Sequence, residues 1–231
     1  MNNQRILVKF PTRSRPELFL ETLKGYIDNA DDLSKIKFLI SYDSDDESMT
    51  DRLIIDCHHY NVELFNNKAI SFYPGFSDSK IHACNRDIEG VNDWDVILLV
   101  SDDMHVQVKG WDTIIRNDMS RLSPDTDGCL WYHDGSHQRQ ISTLSCMGRK
   151  YYDRFGYIYH PSYKSFWCDN EYTEVAQSLG KITFIDNVII KHNHPAWYSE
   201  VKTDELYKRN DLHWNHDIEN YNHRKSLNFQ V

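Results

Sequence analysis

Several common sequence signatures are missing from this chain of 231 residues. It has five cysteines, an odd number, and no two of them are spaced as Cys-x-x-Cys, so neither a disulfide framework nor a zinc–thiolate site is indicated. No apolar run approaches the roughly 18 residues that a membrane-spanning helix needs, and the N-terminus is too polar for a signal peptide. We therefore expect reduced thiols, no membrane span and a cytoplasmic location.

Glycine-rich nucleotide-binding loops are also missing. No Gly-x-Gly-x-x-Gly follows the first predicted strand, so the dinucleotide-binding fingerprint is absent. No Gly-x-x-x-x-Gly-Lys-Ser/Thr loop is present either. The sequence therefore gives no indication of a dinucleotide-dependent enzyme or a P-loop enzyme.

The chain has little positive charge. Its 26 lysines and arginines stand against 35 aspartates and glutamates, which gives a net charge of −9. An acidic chain is a poor general binder of nucleic acid, so no nucleic-acid partner is expected, although the composition leaves room for a local basic patch. Hydrophobic residues make up 40 % and the mean hydropathy is −0.66, values typical of a soluble globular protein. The length suits one large α/β domain or two small ones.

One stretch combines a predicted buried strand with two adjacent acids. The apolar run from Val96 to Val100 is typical of a buried parallel strand, and Asp102 and Asp103 follow it. Open α/β sheets bind ligands outside the carboxyl ends of their strands. Mg²⁺ and Mn²⁺ take carboxylate oxygens, often from one or two side chains, with phosphate oxygens completing the shell. Taken alone, the stretch is more typical of a strand followed by an Asp-rich turn, so the metal interpretation depends on the rest of the chain.

The first hundred residues alternate between predicted strands and helices, which predicts a Rossmann-like, mostly parallel sheet with one site along the strand ends. The predicted strands cover residues 5–10, 37–41, 69–73 and 96–100, and Pro11 is expected to end the first. The predicted helices begin at Pro16, at about Ser48 (ending near Tyr60) and at Ser77. Polar and charged side chains follow three of the strands: Thr12, Arg13 and Arg15; Asp43, Asp45 and Asp46; Asp102 and Asp103.

The second half is less regular. It is predicted to contain, in order, a helix over 110–119, short strands over 128–133 and 141–147 (a hairpin or a mixed-sheet edge), a helical turn over 149–155, a helix over 167–180 and a strand over 182–190. Asp169 is near the start of the last of these helices, and His192 and His194 follow the strand. From Asp204 the chain is polar, which predicts a helix lying on the surface.

In this order, these residues resemble a GT-A-fold glycosyltransferase of the family 2 kind, in particular the small soluble ones of phages and bacteria. The resemblance covers about residues 5–197. Its landmarks are a Pro-Thr-Arg loop, Asp43, a helix with Lys80, Asn85 and Arg86, the acid pair, an acid at the head of a late helix, and a late His. Two landmarks depart from the family's pattern: the metal motif is Ser-Asp-Asp rather than Asp-x-Asp, and Cys168-Asp169 stands in place of Glu-Asp.

The resemblance implies an α/β, Rossmann-like GT-A fold with a mostly parallel central sheet flanked by helices and a smaller mixed acceptor-side half. It divides the chain into a nucleotide-sugar-binding half (1–104), an acceptor-binding and catalytic half of the same domain (105–200) and a C-terminal helical tail (201–231). It also implies Mn²⁺ or Mg²⁺ as the cofactor and a nucleotide sugar, above all a UDP-sugar, as the donor. The acceptor would be a glycan or another hydroxyl-bearing molecule.

The resemblance further implies a role for each candidate residue. Asp103 would hold the metal together with His192 or His194. Asp169 would be the general base, at a helix start that favours its ionised form, with Glu171 as its rival. The donor would be bound by Pro11, Thr12, Arg13, Asp43, Lys80, Arg86 and Asp102. The acceptor would be bound by Trp111, Trp167 and Glu171.

The function predicted on this basis is a metal-dependent, inverting glycosyltransferase. Two alternatives remain open at this point. A nucleotidyltransferase shares acids at strand ends, but it usually has a Gly-rich loop with Lys or Arg after the first strand, which is missing here. A non-catalytic nucleotide- or carbohydrate-binding module would not need Asp169 at a helix start facing a metal-binding acid.

Overall fold

The computed structural model describes residues 3–49, 69–136, 140–199, 201 and 203–231. Its strands are β1 (Ile6–Thr12), β2 (Ile36–Asp43), β3 (Ile70–Gly75), β4 (Val96–Leu99), β5 (Met104–Val106), β6 (Cys129–Tyr132), β7 (Cys146–Gly148), β8 (Ile182–Ile185) and β9 (Ile190–His192). Its α-helices are α1 (Pro16–Asp28), α2 (Lys80–Asn85), α3 (Trp111–Leu122), α4 (Arg149–Phe155), α5 (Cys168–Ser178), α6 (Glu205–Asp211) and α7 (Trp214–Ser226). The helix predicted over about Ser48 to Tyr60 lies, from residue 50 onward, outside the described residues.

In the described residues, seven strands form one sheet in the order β3-β2-β1-β4-β7-β6-β8. Strands β1 to β4 run parallel to one another, β7 is antiparallel to β4 and β6, and β8 is parallel to β6. Strands β5 and β9 pair antiparallel in a second, small sheet. The mostly parallel α/β sheet expected from the sequence is therefore confirmed. The segment 141–147 contributes only its end, as part of β7, which lies inside the sheet rather than at an edge.

The alternating side chains of β1 reach both faces of this sheet. Ile6 and Val8 belong to the hydrophobic core on one face and Leu7 to the core on the other, and all three are fully buried. Lys9 is also fully buried, and its ammonium group donates to the hydroxyl of Ser41. Burial lowers the pKa of Lys9 to about 7, because the charged form loses its hydration in the sheet.

Strand β1 continues past Pro11, which was expected to end it. The N–H of Val100 donates to the carbonyl of Lys9 at 3.0 Å, so the backbone groups of Lys9 face β4. Those of Pro11, two residues further on, face the same side. Because β4 has already ended at Leu99, no ladder hydrogen bond is lost with the missing N–H of Pro11. The extra residues carry Thr12 to the carboxyl edge of the sheet.

The predicted strand over 182–190 is two strands in two different sheets. Strand β8 lies beside β6, whereas β9 pairs with β5. Between them the chain turns, and the N–H of Asn187 donates to the carbonyl of Ile185 at 2.8 Å. The turn places His192 opposite Met104 in the small sheet, next to Asp103.

The tail is helical, as predicted, but it forms two helices and contributes to the interior. Asp204 caps α6 by accepting a hydrogen bond from the N–H of Tyr207 at 3.1 Å. Helix α7 buries Asp217 and Tyr221. In the part of the chain that the structure describes, no helix is both long and apolar enough to cross a membrane.

Candidate active site

A cavity lies at the carboxyl ends of β1, β2 and β4, the edge where open α/β sheets bind their ligands. Ten of the fourteen predicted site residues line it: Pro11, Thr12, Arg13, Asp43, Lys80, Asp102, Asp103, Asp169, His192 and His194. The remaining four, described below, lie outside its lining. Helix α6 closes one side of the cavity with Tyr207 and Arg209. The fold thus brings together side chains from both halves of the chain and from the tail.

The two adjacent acids after β4 have different partners. Asp102 is 4 % exposed and accepts a hydrogen bond from Arg15 at 2.8 Å. Arg15 also donates to both carboxylate oxygens of Asp204, at 2.6 and 2.9 Å. Burial raises the pKa of Asp102 to about 6, although Arg15 opposes the shift. Arg15 therefore connects Asp102, which follows β4, to Asp204 at the start of α6.

Asp103 faces the small sheet instead. The Nε2 atom of His192 lies 3.5 Å from Oδ2 of Asp103. The hydroxyl of Ser101 donates to the same carboxylate, and so does the hydroxyl of Tyr207, at 2.8 Å. Although burial opposes ionisation, His192 and the two hydroxyls hold the pKa of Asp103 well below its usual range. This carboxylate is therefore ionised at neutral pH.

The Asp103–His192 pair fits a divalent cation that takes few protein ligands. Bonds of about 2.1 Å place two ligands of one such ion at most about 4.2 Å apart, and the two donor atoms satisfy this limit. Oxygen and imidazole nitrogen together suit Mn²⁺. Among the described residues, no three His, Cys, Asp or Glu side chains are grouped to hold a metal. A metal with only these two protein ligands would take its other ligands from water or from a bound molecule such as a diphosphate.

His194 lies beyond the end of β9. Its ring centre is 5.5 Å from that of His192, and its Nδ1 accepts a hydrogen bond from the N–H of Ala196 at 3.2 Å. Burial lowers the pKa of His194 to about 4, so the ring is neutral. Within the described residues, no hydrogen bond or ion pair joins His194 to Asp103. His192 is therefore the better placed of the two candidate ligands.

Two neighbouring strand ends present unpartnered polar atoms to the cavity. The guanidinium of Arg13 donates to Oδ2 of Asp43 at 2.7 Å and to Asp45 at 2.6 Å. The other oxygen of Asp43, and the hydroxyl of Thr12, are buried without a hydrogen-bond partner among the described residues. Because a buried polar atom without a partner costs about 1–3 kcal/mol, such atoms are usually satisfied by a ligand or water. They are available to bind one here.

Asp169 is the second residue of α5 and lines the cavity. Trp167 precedes the helix with a left-handed φ of 63°, so the chain enters α5 through a sharp turn. The helix start was expected to favour the ionised carboxylate. Instead, burial raises the pKa of Asp169, and nearby Lys80 opposes the shift. A carboxylate with a raised pKa is a stronger base.

The two tryptophans predicted to stack on the acceptor have other partners. Trp111 is fully buried, and its Nε1 donates to the carbonyl of Tyr26 at 2.9 Å. Its predicted role is wrong, because neither face of the ring is open to a sugar. The indole of Trp167 packs against Tyr221 and Trp214 of α7, with ring centres 5.2 and 5.5 Å apart. Trp167 therefore belongs to the contact between α7 and the start of α5.

Glu171 and Arg86 are held by interactions within the protein. Glu171 is 5 % exposed, and Arg224 donates to both of its carboxylate oxygens at 2.7 Å. Arg86 donates to the carbonyls of Tyr42 at 2.8 Å and Tyr73 at 3.3 Å, near the ends of β2 and β3. Neither residue lines the cavity, and these contacts hold both side chains within the protein.

Sequence reasoning gave no role to Arg15 or Tyr207, although both line the cavity. The guanidinium of Arg15 lies 4.1 Å from the centre of the Tyr207 ring, a cation–π contact. Arg15 was visible as a charge in the loop after the first strand, whereas Tyr207 belonged to a tail predicted to lie on the surface. No local pattern connects residues this far apart in the chain.

No protein-family model and no curated protein matches the sequence, but solved structures match the fold. Mannosyltransferase PcManGT from Pyrobaculum calidifontis, in complex with GDP-Man and Mn²⁺, matches with a TM-score of 0.61 and 15 % identity, over 82 % of this chain and 56 % of that chain. S. aureus TarS 1-349, in complex with UDP, matches with a TM-score of 0.61 and 12 % identity, over 81 % and 60 %. GalNAc-T7 with UDP, GalNAc and Mn²⁺ matches with a TM-score of 0.66 and 12 % identity, over 89 % and 47 %.

These neighbours are glycosyltransferases of the GT-A type, and the chain has the same GT-A fold. The fold expected from the sequence is thereby confirmed. The chain spans between 47 and 60 % of the length of these three structures. Because their identity to this chain is so low, the similarity establishes the fold, and the activity has to be argued from the site.

Proposed function

We propose that this protein is a metal-dependent, inverting glycosyltransferase that moves a sugar from a nucleotide-sugar donor to an acceptor hydroxyl. The observation that carries the proposal is the meeting of Asp103, His192 and Asp169 in one cavity at the carboxyl edge of the sheet. The first two suit a metal ion on the donor's diphosphate, and the third suits a hydroxyl proton. The GT-A fold supports this reading, since its neighbours include complexes with Mn²⁺ and with a nucleotide or nucleotide sugar.

The nucleotide would lie along the ends of β1 and β2. There the unpartnered oxygen of Asp43 accepts hydrogen bonds from the base, and Thr12 supplies a free hydroxyl. Arg13, fixed by its two acids, presents its guanidinium beside them. Lys80 extends from the first residue of α2 towards the diphosphate. A UDP-sugar is the favoured donor, and the tests below use it first.

Asp103 and His192 would hold Mn²⁺ or Mg²⁺, which neutralises negative charge on the departing nucleoside diphosphate. The low pKa of Asp103 suits this role, because a ligand that is already ionised gives up no proton when the metal binds. Tyr207, which donates to the same carboxylate, orients it. Asp102 is occupied by Arg15 and supports the site rather than the metal.

Asp169 would take the proton of the acceptor hydroxyl as that oxygen attacks the anomeric carbon. The new bond forms on the face opposite to the leaving diphosphate, so one displacement inverts the configuration. The raised pKa of Asp169 makes the carboxylate a better proton acceptor. Lys80 opposes this rise and so favours the ionised form of the carboxylate.

A thermal-shift screen with and without MnCl₂ tests the proposal. The ligands are UDP-glucose, UDP-galactose, UDP-N-acetylglucosamine and GDP-mannose, with UTP as the comparison for nucleotidyl transfer. We expect one nucleotide sugar to raise the melting temperature only when Mn²⁺ is present, because ligand binding stabilises the folded state. Stabilisation by UTP and by none of the four sugars would count against glycosyl transfer.

A further inference from the structure

Helix α7 packs against α5, which carries Asp169, and against the loop before α5. Four side chains of α7 make these contacts. Arg224 forms a two-point ion pair with Glu171, while Tyr221 and Lys225 bond Glu174, the latter at 2.8 Å. All of these hold the body of α5. A separate contact, made by Asp217, holds the loop before it.

Asp217 is fully buried, and its carboxylate accepts hydrogen bonds from three consecutive backbone amides. Oδ1 accepts from the N–H of Lys164 at 2.9 Å, and Oδ2 accepts from those of Ser165 and Phe166 at 2.7 and 2.8 Å. The side chain of His216 contacts Oδ1 at 2.9 Å. Charge-assisted hydrogen bonds of this kind are stronger than neutral ones, and they compensate the cost of burying the carboxylate.

The loop that Asp217 holds is part of the candidate active site. Ser165 and Phe166 line the cavity, and the left-handed turn at Trp167 connects them to Asp169. On its other side the loop meets α2, where the N–H of Ile81 donates to the carbonyl of Lys164 at 3.3 Å. The residue next to Ile81 is Lys80. A shift of this loop would therefore move Asp169 relative to the lysine that tunes it.

We infer that Asp217 is a positioning residue that fixes Asp169 in its productive place, an inference that rests on the proposed function of Asp169. Helix α7 then contributes to the geometry of the active site as well as to the stability of the fold. Misplacing a reacting group by about 1 Å can cost about 10²-fold in rate, even when the substituted residue lies away from the chemistry.

The test compares Asp217→Asn with Glu219→Gln, a matched control on an exposed position of the same helix. In Asp217→Asn, the side-chain NH₂ group, which is a donor, would replace an oxygen that accepts hydrogen bonds from backbone N–H groups. Nucleotide release from the four nucleotide sugars named above, with water as the acceptor and Mn²⁺ present, should fall about 10- to 100-fold. Calorimetric affinity for UDP with Mn²⁺ should stay within about threefold of wild type, because the metal and nucleotide groups are untouched. Glu219→Gln should match wild type in both nucleotide release and affinity for UDP.

Two further measurements separate positioning from a general loss of stability. Hydrogen exchange of the amides at 164–166 should accelerate in Asp217→Asn and not in Glu219→Gln. The double variant Asp169→Asn/Asp217→Asn should release nucleotide no more slowly than Asp169→Asn alone, since Asp217 acts through the base that is already lost. If Asp217→Asn unfolds, Asn220→Ala replaces it. That variant removes the 2.8 Å hydrogen bond from Asn220 to Ser162, at the start of the same loop. Its nucleotide release should decrease less, by about two- to fivefold.

Wild-type nucleotide release in Asp217→Asn, or in Asn220→Ala where it stands in, would overturn the inference. Additive losses in the double variant would also overturn it. Failure of the proposed function looks different: there Asp169→Asn itself would release nucleotide at the wild-type rate.

Discussion

The imidazole of His192 lies 3.5 Å from the carboxylate of Asp103, although the two residues come from different halves of the chain. Their meeting depends on the small sheet, in which β9 pairs with β5 directly after the acid pair. Asp103 lies between β4 of the large sheet and β5 of the small sheet, and β9 of the small sheet supplies its partner. The proposed metal site thus lies at the junction of the two sheets.

Asp103→Asn should abolish metal-dependent donor binding. The substitution removes the charge that the cation needs but keeps the size of the side chain, so the fold should persist. We expect calorimetric affinity for UDP with Mn²⁺ to fall by at least about 10²-fold. Asp102→Asn is the matched comparison: it weakens the contact with Arg15 and should lower the melting temperature while leaving metal binding in place. Unchanged affinity in Asp103→Asn would refute the assignment.

Of the two late histidines, His192 should be the ligand. His192→Ala removes the nitrogen opposite Asp103 and should weaken Mn²⁺ binding by about tenfold or more. His194→Ala should have a smaller effect, because that ring contacts His192 and Tyr207 rather than the acid. Titration of Mn²⁺ followed by electron paramagnetic resonance measures both variants. The opposite order of effects would move the metal site towards the turn after β9.

Asp169→Asn should lose transfer and keep binding. The amide has the shape of the carboxylate but cannot accept the acceptor's proton, so single-turnover transfer should fall by about 10²–10⁴-fold. Affinity for UDP with Mn²⁺ should stay near that of wild type. Glu171→Gln serves as the control, because its contact with Arg224 predicts lower stability and little change in chemistry. Transfer lost in Glu171→Gln but kept in Asp169→Asn would exchange the two roles.

Buried Lys9 should make stability depend on pH above neutrality. Its pKa is lowered from 10.5 to about 7, so between these values the unfolded chain binds more protons than the folded one. Stability therefore rises with pH through this window, and the penalty for charging Lys9 is fully present below about pH 7. Between pH 7 and 9, wild type should gain about 2 kcal/mol in unfolding free energy relative to Lys9→Met.

Urea unfolding at several pH values measures this difference. Lys24→Met, at an exposed position on α1, is the control and should follow the wild-type profile. Parallel profiles for wild type and Lys9→Met would show that the buried amine does not titrate in this range.

The sequence by itself determined the order of the elements and the chemistry at the strand ends. Apolar runs such as Val96 to Val100 and their flanking acids are local patterns, and parallel strands align their carboxyl ends whatever the loops between them. That is why six of the ten predicted residues that line the cavity come from the ends of β1, β2 and β4. Local patterns also located Asp169, because a helix start can be read from its neighbours.

The tertiary structure decided which side chains reach the cavity and which partners they have. Trp111 and Glu171 are residue types that often bind ligands. In the structure, Trp111 instead packs against Tyr26 and Glu171 pairs with Arg224, so neither side chain reaches the cavity. Conversely, Tyr207 and Asp217 belong to a polar tail with no motif, and they gain their roles only because α6 and α7 pack against the rest of the chain. Such contacts join residues distant in the chain, and they are set by how whole elements pack. No local periodicity records them, so only the folded chain reveals that its tail completes the site.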